Sequence, residues 1–257
     1  MPAPPPSWPD LDAAAEAAGL NLRVVVARGE VEAAFTRAAR NAAAPGLRTP
    51  LALRSPSAIH AGWRSALLLG SAGRPFWERC RAAPGAPPDP LDRCAEREAA
   101  TLLEPLRERD PSAQSVFPFR HARQVVPFQA LAAGLPWAVA GPFGVAVHPR
   151  FGPWFAWRAA LLTALETPPT PAPAPAPCAA CPAPCVAACP AGAVARSGFA
   201  WEACVDFRLA QAPCRETCLA REACPAGAEF RYGAEQMAYH YRASLRMIRQ
   251  WRSGGEN

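Results

Sequence analysis

Residues Cys178 to Gly192 read CAACPAPCVAACPAG, in which Cys178, Cys181, Cys185 and Cys189 are spaced C-x2-C-x3-C-x3-C-P. Four more cysteines follow at Cys204, Cys214, Cys218 and Cys224, and the pentapeptide CPAGA occurs at both Cys189 and Cys224. This stretch has too few large apolar residues to build a core of its own, so something inorganic is expected to hold it together. The start, MPAPPPSWPD, has neither a basic segment nor a continuous apolar run and does not read as a secretory signal. The expected location is therefore the cytoplasm. There thiols stay reduced, and crowded cysteines favour metal or cluster ligation over disulfides.

Of the ten cysteines, only Cys80 and Cys94 lie outside this region, and they read as buried small hydrophobes on helices. The first run differs by one residue from C-x2-C-x2-C-x3-C-P, the bacterial ferredoxin spacing in which three close thiolates hold one 4Fe-4S cube and the fourth reaches the other. The second run supplies the four further thiolates that a second cube requires. The assignment that follows puts Cys178, Cys181, Cys185 and Cys224 on one 4Fe-4S cluster. Cys204, Cys214, Cys218 and Cys189 then hold the other, and the crossing explains why each half ends in Cys-Pro. Two four-thiolate zinc sites are the competing reading, since zinc also accepts tetrahedral sulfur. Zinc ribbons, however, pair two C-x2-C knuckles, and one such pair exists here.

The whole chain has 257 residues, 51% hydrophobic and 19% charged, a globular composition with no apolar run near the roughly 20 residues of a bilayer span. No membrane segment is expected. All 27 basic residues are Arg, which excludes a Walker-type phosphate loop and Schiff-base catalysis, because both need a lysine amine. A net charge of +6 suits an anionic partner.

The segment TPPTPAPAPAP, Thr167 to Pro177, reads as an extended semi-rigid spacer. It separates residues 11–166, an α+β or α/β domain, from an iron–sulfur domain at 178–232 and an amphipathic helix with tail at 233–257. Residues 1–10, rich in Pro, read as disordered. In the first domain, residues 22–27, 66–70, 115–119, 144–148 and 154–162 read as strands. Residues 30–43, 75–83, 91–109 and 123–134 have helical composition and spacing. After Gly233, a 3.6-residue period puts Met237, Tyr241, Leu245, Ile248 and Trp251 on one face and Arg242, Arg246 and Arg249 on the other. Such a stripe is ordinarily a solvated face, so RNA is not expected to bind beyond weak, non-specific contact.

The run GVAVHPRFGPWFAWRAALL, Gly144 to Leu162, resembles the CblC-type (MMACHC-like) cobalamin-processing proteins, which carry a similar H-P-R-F-G-x-W-F-A-x-R sequence. AGWRSALLLG (Ala61 to Gly70) and DPLDRCA (Asp89 to Ala95) agree with that family in the same order. From LAAGLPW (Leu131 to Trp137) into the cysteines, the chain resembles epoxyqueuosine reductase (QueG), in which a cobalamin-binding domain precedes a two-cluster ferredoxin domain. The two resemblances imply one architecture: a nitroreductase-like cobalamin-binding domain followed by a small ferredoxin-like iron–sulfur domain. Departures are the missing Lys in GLPWAVAG and the absence of a counterpart to QueG's C-terminal helical-repeat domain for tRNA. The CblC family, conversely, lacks the eight cysteines.

Read as a strand, the segment sends Trp154, Ala156 and Arg158 to one face and Phe155 and Trp157 to the other. With Phe151, these aromatics offer flat area for a corrin. For Arg158 the resemblance implies contact with a thiol cosubstrate such as glutathione. His148 is chemically suited to ligate cobalt, although the resemblance does not imply it and a His beside Pro at a strand end is ordinarily structural. No Ser/His/Asp or paired-carboxylate motif is recognisable. The expected function is a corrinoid-processing or corrinoid-dependent oxidoreductase whose two clusters, fed by an upstream electron donor, relay electrons to cobalamin. A ferredoxin-type electron carrier and a QueG-like RNA-modifying reductase are the alternatives.

Overall fold

The computed structural model describes residues 8–42, 59–82, 90–119, 137–171 and 177–253, with positions 52–53, 57, 124–125, 128 and 135. Expectations for residues 1–7, for LAAGLPW apart from Leu135 and Trp137, and for 172–176 of the Pro-rich segment lie outside these. The chain divides into two units, one made of Met1–Ala138 and Phe155–Pro173, the other of Val139–Trp154 and Ala174–Asn257.

In chain order the first unit holds α1 (Trp8–Ala17), β1 (Leu22–Ala27), α2 (Arg28–Ala42), β2 (Ala52–Leu53), β3 (Ser65–Ala72), α3 (Pro75–Arg81), α4 (Pro90–Arg107), β4 (Gln114–Val116) and β5 (Gln124–Val125). The chain then crosses to the second unit for β6 (Val139–Ala140) and β7 (Ala146–Val147), and returns as β8 (Phe155–Thr163). Strands run in the order β1-β3-β8-β4, and every pairing is antiparallel. The first unit is therefore α+β. The apolar run SALLLGSA is buried at every position of β3, as a strand covered on both faces must be. A bulge at Leu69/Gly70 lies opposite Trp157, where a Cβ on Gly70 would come within 3.0 Å of the indole.

Three expectations change here. Helix α1 begins at Trp8, so disorder does not extend over residues 8–10; Pro9 lies in the first helical turn, where a missing N–H costs nothing. Gln124 and Val125, expected in a helix, pair in parallel with Ala52 and Leu53. Cys80 and Cys94 are buried on α3 and α4 as expected, but they form a disulfide. The packing of α3 on α4 brings their Cα atoms to 5.8 Å, a bridgeable separation.

Two polar ties fix the end of β8. The buried Asp110 carboxylate accepts hydrogen bonds from the Ser112 N–H (3.0 Å) and hydroxyl, the Thr163 hydroxyl (2.7 Å) and the Ala164 N–H (2.6 Å). Burial raises its pKa, but these donors outweigh it and hold the carboxyl below the usual value. The Ser112 hydroxyl also meets His60 Nε2 at 3.2 Å. Ser112 thus stands between His and Asp, so the trio is a strut and lacks the nucleophile–base–carboxylate order of a catalytic triad. Past β8, the Thr170 N–H donates to the Val25 carbonyl (2.9 Å), and the Thr170 hydroxyl accepts from the Val25 N–H (2.9 Å). The first residues of the Pro-rich segment are thereby pinned along edge strand β1.

The second unit adds α5 (Pro184–Ala187), β9 (Val194–Ala195), β10 (Gly198–Phe199), α6 (Trp201–Ala210), α7 (Leu219–Glu222) and α8 (Ala234–Arg252). Its core joins Phe143 and Val147 to Cys185, Val194, Ala220 and Cys224. Residues 139–147 thus supply the apolar bulk that the cysteine stretch lacks. Along α8, Met237 and Leu245 are buried while Arg242, Arg246 and Arg249 are exposed, following the apolar period.

Candidate metal centre

Short helices α5 and α7 pack on each other, and each is followed by a CPAGA segment. The glycines of those segments, Gly192 and Gly227, both take positive φ, 60° and 64°. The same local turn is therefore built twice.

The eight thiols fall into two groups, and none of them is in a disulfide. Burial pushes the Cys178 thiol up, and the neighbouring Cys224, Cys181 and Cys185 push it further. Cys224 is raised by burial, then by Cys185 and Cys181. On the other side, Cys204 is pushed up to about 11, first by burial and then by Cys218, Cys189 and Cys214. Cys214 is likewise raised by burial, Cys218 and Cys189. Spatial neighbourhood therefore groups Cys178, Cys181, Cys185 and Cys224, and separately Cys189, Cys204, Cys214 and Cys218. Among the described residues, no three His, Cys, Asp or Glu converge on one ion position. Within each quartet the thiols lie close enough to influence one another's titration.

The surroundings of the quartets carry positive charge and N–H donors. Ala183 N–H points at Cys181 Sγ (3.4 Å), and the backbone N–H groups of Leu219 and Ala226 lower the thiols of Cys214 and Cys224. Two guanidiniums are buried beside the cysteines, Arg208 at 6% exposure and Arg221 at 7%. Arg208 donates to the Cys214 carbonyl (3.0 Å), the Tyr241 carbonyl (3.0 Å) and the Ser244 hydroxyl (3.1 Å). Arg221 donates to the Pro153 carbonyl and lies between the rings of Trp154 (4.9 Å) and Tyr232 (4.8 Å), with its Nε buried and unpartnered among the described residues. Among the described residues, neither is in an ion pair. Buried cations require a counter-charge. A thiolate-ligated iron–sulfur group carries negative charge, so the chemistry of the donor set and its cationic setting fit such a group.

The five residues the sequence singles out for a corrin are divided between the units: His148, Phe151 and Trp154 in the second, Phe155 and Arg158 in the first. All five are buried. Trp154 does not join β8. It packs with Tyr232 and Met237, because the chain turns at Gly152-Pro153 before the strand begins. Phe155 and Trp157 do share a face, meeting edge to face at 5.9 Å. Arg158 Nε donates to the Ser71 hydroxyl (2.9 Å), and the guanidinium lies over Phe76 (5.4 Å).

His148 closes a five-residue loop. Its backbone bonds reciprocally with Gly152, while ring Nδ1 accepts the N–H groups of Arg150 (3.1 Å) and Phe151 (3.3 Å). What holds the ring here is a turn. Burial and then the Arg150 charge push its pKa down from 6.5 to about 4. The unfolded chain therefore binds the proton first as pH falls, so His148 supports the fold fully above about pH 6.5 and loses that support on descent to about 4. The displacement is worth about 3 kcal/mol at most, at roughly 1.36 kcal/mol per pH unit. Thermal melting between pH 7.5 and 4.5 is expected to show this loss, and His148→Asn to flatten it.

No family model matches the chain, and no curated protein matches it by sequence. Solved structures do share its architecture. Epoxyqueuosine reductase from Streptococcus thermophilus is similar at 12% identity with a TM-score of 0.57, over 86% of this chain and 66% of that one. The C. elegans B12-trafficking protein CblC, a human MMACHC homologue, is similar at 14% identity and TM-score 0.50, over 90% of this chain and 89% of that one. This is the fold of epoxyqueuosine reductase and CblC. The resemblances read from the sequence are thus matched at the level of fold. A third structure, epoxyqueuosine reductase with an epoxyqueuosine-modified tRNA-Tyr stem loop, is similar at 13% identity and TM-score 0.60, over 90% of this chain and 68% of that one. The chain spans about two thirds of the length of these reductases. Among the described residues, no helix is long and apolar enough to cross a membrane.

Proposed function

We propose that the chain is an iron–sulfur oxidoreductase that binds a corrinoid and delivers electrons to it. The observation that carries the reading is the pair of thiol quartets in a unit that also buries Arg208 and Arg221, neither of them in an ion pair among the described residues. Cys178, Cys181, Cys185 and Cys224 would hold one 4Fe-4S cluster of a ferredoxin-like domain, and Cys189, Cys204, Cys214 and Cys218 the other. Such clusters supply one-electron transfer when bound. The corrinoid half rests on the fold shared with a B12-trafficking protein and on the HPRFGPWFAWR run. In that reading His148, Phe151, Trp154, Phe155 and Arg158 are the candidate corrinoid-binding residues. An upstream donor refills the clusters, a thiol remains a candidate cosubstrate, and the cytoplasm is the proposed location.

The test compares oxidised and dithionite-reduced holoprotein, freed of excess reductant, against hydroxocobalamin under anaerobic conditions. Both forms are expected to shift the cobalt absorption on binding. Only the reduced form should convert Co(III) to Co(II), one electron leaving a cluster for each cobalt reduced. Reduced protein that passes electrons to an external acceptor while leaving the cobalamin spectrum unchanged would point to the electron-carrier alternative instead.

A second reading, an RNA-modifying reductase, is favoured by the exposed Arg246 and Arg249 on α8 in a fold shared with a reductase structure that holds a tRNA stem loop. That similarity tells against leaving RNA out of the partners. Arg242, on the same stripe, is paired with Glu216. If RNA is bound there, affinity should fall steeply with salt and drop at least tenfold when the three Arg are changed to Ala, measured by titration with a tRNA stem loop.

A further inference from the structure

Helix α7 is a single turn, Leu219–Glu222, too short to be held by its own hydrogen bonds. Its apolar hold on the unit is one side chain, Ala220 at 1% exposure, since Leu219 is 37% exposed and Glu222 faces solvent. A cysteine stands at each end. Cys218 is the N-cap, its carbonyl accepting the Glu222 N–H (2.9 Å), and the Cys224 N–H donates to the Arg221 carbonyl (3.1 Å). The main chain of Arg221 is thus set between two cysteines, one assigned to each quartet.

The side chain of Arg221 reaches the other way, to the HPRFGPW loop at residues 148–154. It donates to the Pro153 carbonyl, and its guanidinium lies over the rings of Trp154 (4.9 Å) and Tyr232 (4.8 Å), which meet each other edge to face at 5.7 Å. A planar guanidinium can donate and stack at once, which an ammonium cannot. Beside this contact, a Cβ on Gly152 would collide with the Ala226 carbonyl, and Phe151 packs edge to face on Phe230 at 4.8 Å. Each of these contacts joins residues 151–154 to residues 221–232. Phe151 and Trp154 are therefore gripped by a segment that Cys218 and Cys224 hold in turn, and His148 is tied to the same loop through the Arg150 and Phe151 N–H groups.

Resting on the cluster and corrinoid readings above, we propose that Arg221 is the positioning residue through which the cysteine segment sets the HPRFGPW loop, so that the loop takes its corrinoid-binding shape when the clusters are in place. Arg221 acts through Pro153 and Trp154. Corrinoid capture is thereby tied to the presence of the electron source, and the coupling runs both ways: bound corrinoid favours the cluster-loaded chain.

The experiment uses the anaerobically reconstituted full chain, with iron counted, hydroxocobalamin titrated by its absorption, and amide hydrogen exchange followed in parallel. Arg221→Met removes the guanidinium from a long side chain. Iron content should hold while corrinoid affinity falls about tenfold, a usual size for coupling between two sites. The amides of Arg150, Phe151 and Gly152, all hydrogen-bonded to His148, should exchange about tenfold faster. Arg221→Lys keeps the charge without the flat fork and should recover little of the affinity; if Arg221→Met loses iron, this variant answers the same question at full iron content. Arg252→Met, which removes an exposed arginine paired with Asp206, should change none of the three readouts. Saturating hydroxocobalamin should slow the stripping of iron by a chelator in wild-type protein and not in Arg221→Met, a difference that general loosening of the fold does not produce. An iron-replete Arg221 variant that binds hydroxocobalamin as tightly as wild type, or loses affinity with the loop amides still protected, overturns the proposal and leaves the corrinoid function standing. Wild-type chain that takes up no iron, or leaves the cobalt spectrum unshifted, overturns that function and this proposal with it.

Discussion

Cys224→Ala is expected to remove about half of the iron from the reconstituted chain. Two cubes give on the order of eight iron and eight sulfide per chain, and Cys224 neighbours Cys178, Cys181 and Cys185 although it lies far along the chain from them. The informative comparison is between pairs. Cys185→Ala with Cys224→Ala strikes one quartet twice, so about four irons should survive. Cys185→Ala with Cys189→Ala strikes both quartets, even though the two residues share the first run, and should leave almost none. Ligation in simple sequence order predicts the reverse, with the adjacent pair harming one cluster and the distant pair harming two. Iron and sulfide analysis with visible absorption separates these outcomes. Stoichiometric zinc without broad visible absorption would sink both.

Gly152→Ala should collapse the second unit. Gly152 has φ +57°, and a Cβ there would lie 1.9 Å from the Ala226 carbonyl oxygen; at Gly227, with φ +64°, a Cβ would lie 2.3 Å from backbone atoms of Phe151. Two backbones touch directly, one from the HPRFG loop and one from the turn that follows Cys224. The left-handed backbone alone costs Ala about 1 kcal/mol. The clash with backbone, which no rotamer change relieves, should bring the loss above about 4 kcal/mol, the far tail for a point substitution. Gly192 is the internal control: its φ is +60°, but a Cβ there meets nothing within 4 Å, so Gly192→Ala should lose only the backbone part. Chemical unfolding and iron retention measure the difference. Equal behaviour of the two variants would mean that the Phe151–Gly152 and Ala226–Gly227 backbones do not meet. The same contact bears on truncation. A fragment ending near Glu166 keeps residues 139–154 but discards their packing partners, so corrinoid binding is better tested on the intact chain.

Much of this protein was legible along the chain. β1, β3 and β8 are apolar runs with too few polar residues to be anything but covered strands, and α8 shows its buried and exposed faces through a 3.6-residue period. The doubled turn could be anticipated because CPAGA is written twice, and a turn repeated in sequence is a turn repeated in space. These are local facts: period, spacing and turn chemistry act over a few residues and need no partner.

What the tertiary structure alone decided is which partner each segment meets. The aromatic run from Gly144 reads as one continuous strand, yet residues up to Trp154 belong to the cysteine unit and those from Phe155 to the sheet, because Gly152 lets the backbone turn and dock against Ala226 and Gly227. His148 reads as a cobalt ligand or a structural residue at a strand end; that its ring Nδ1 accepts two N–H groups of its own loop is seen only in the folded chain. Arg208 and Arg221 are unremarked in a chain with 27 basic residues, all Arg. Only their burial in the cysteine unit, with no ion pair among the described residues, sets them apart. The bond between Cys80 and Cys94 likewise depends on how α3 meets α4. Periodicity says that a face will be covered; the covering surface comes from residues distant in sequence, and that pairing is fixed only when the packed chain brings them together.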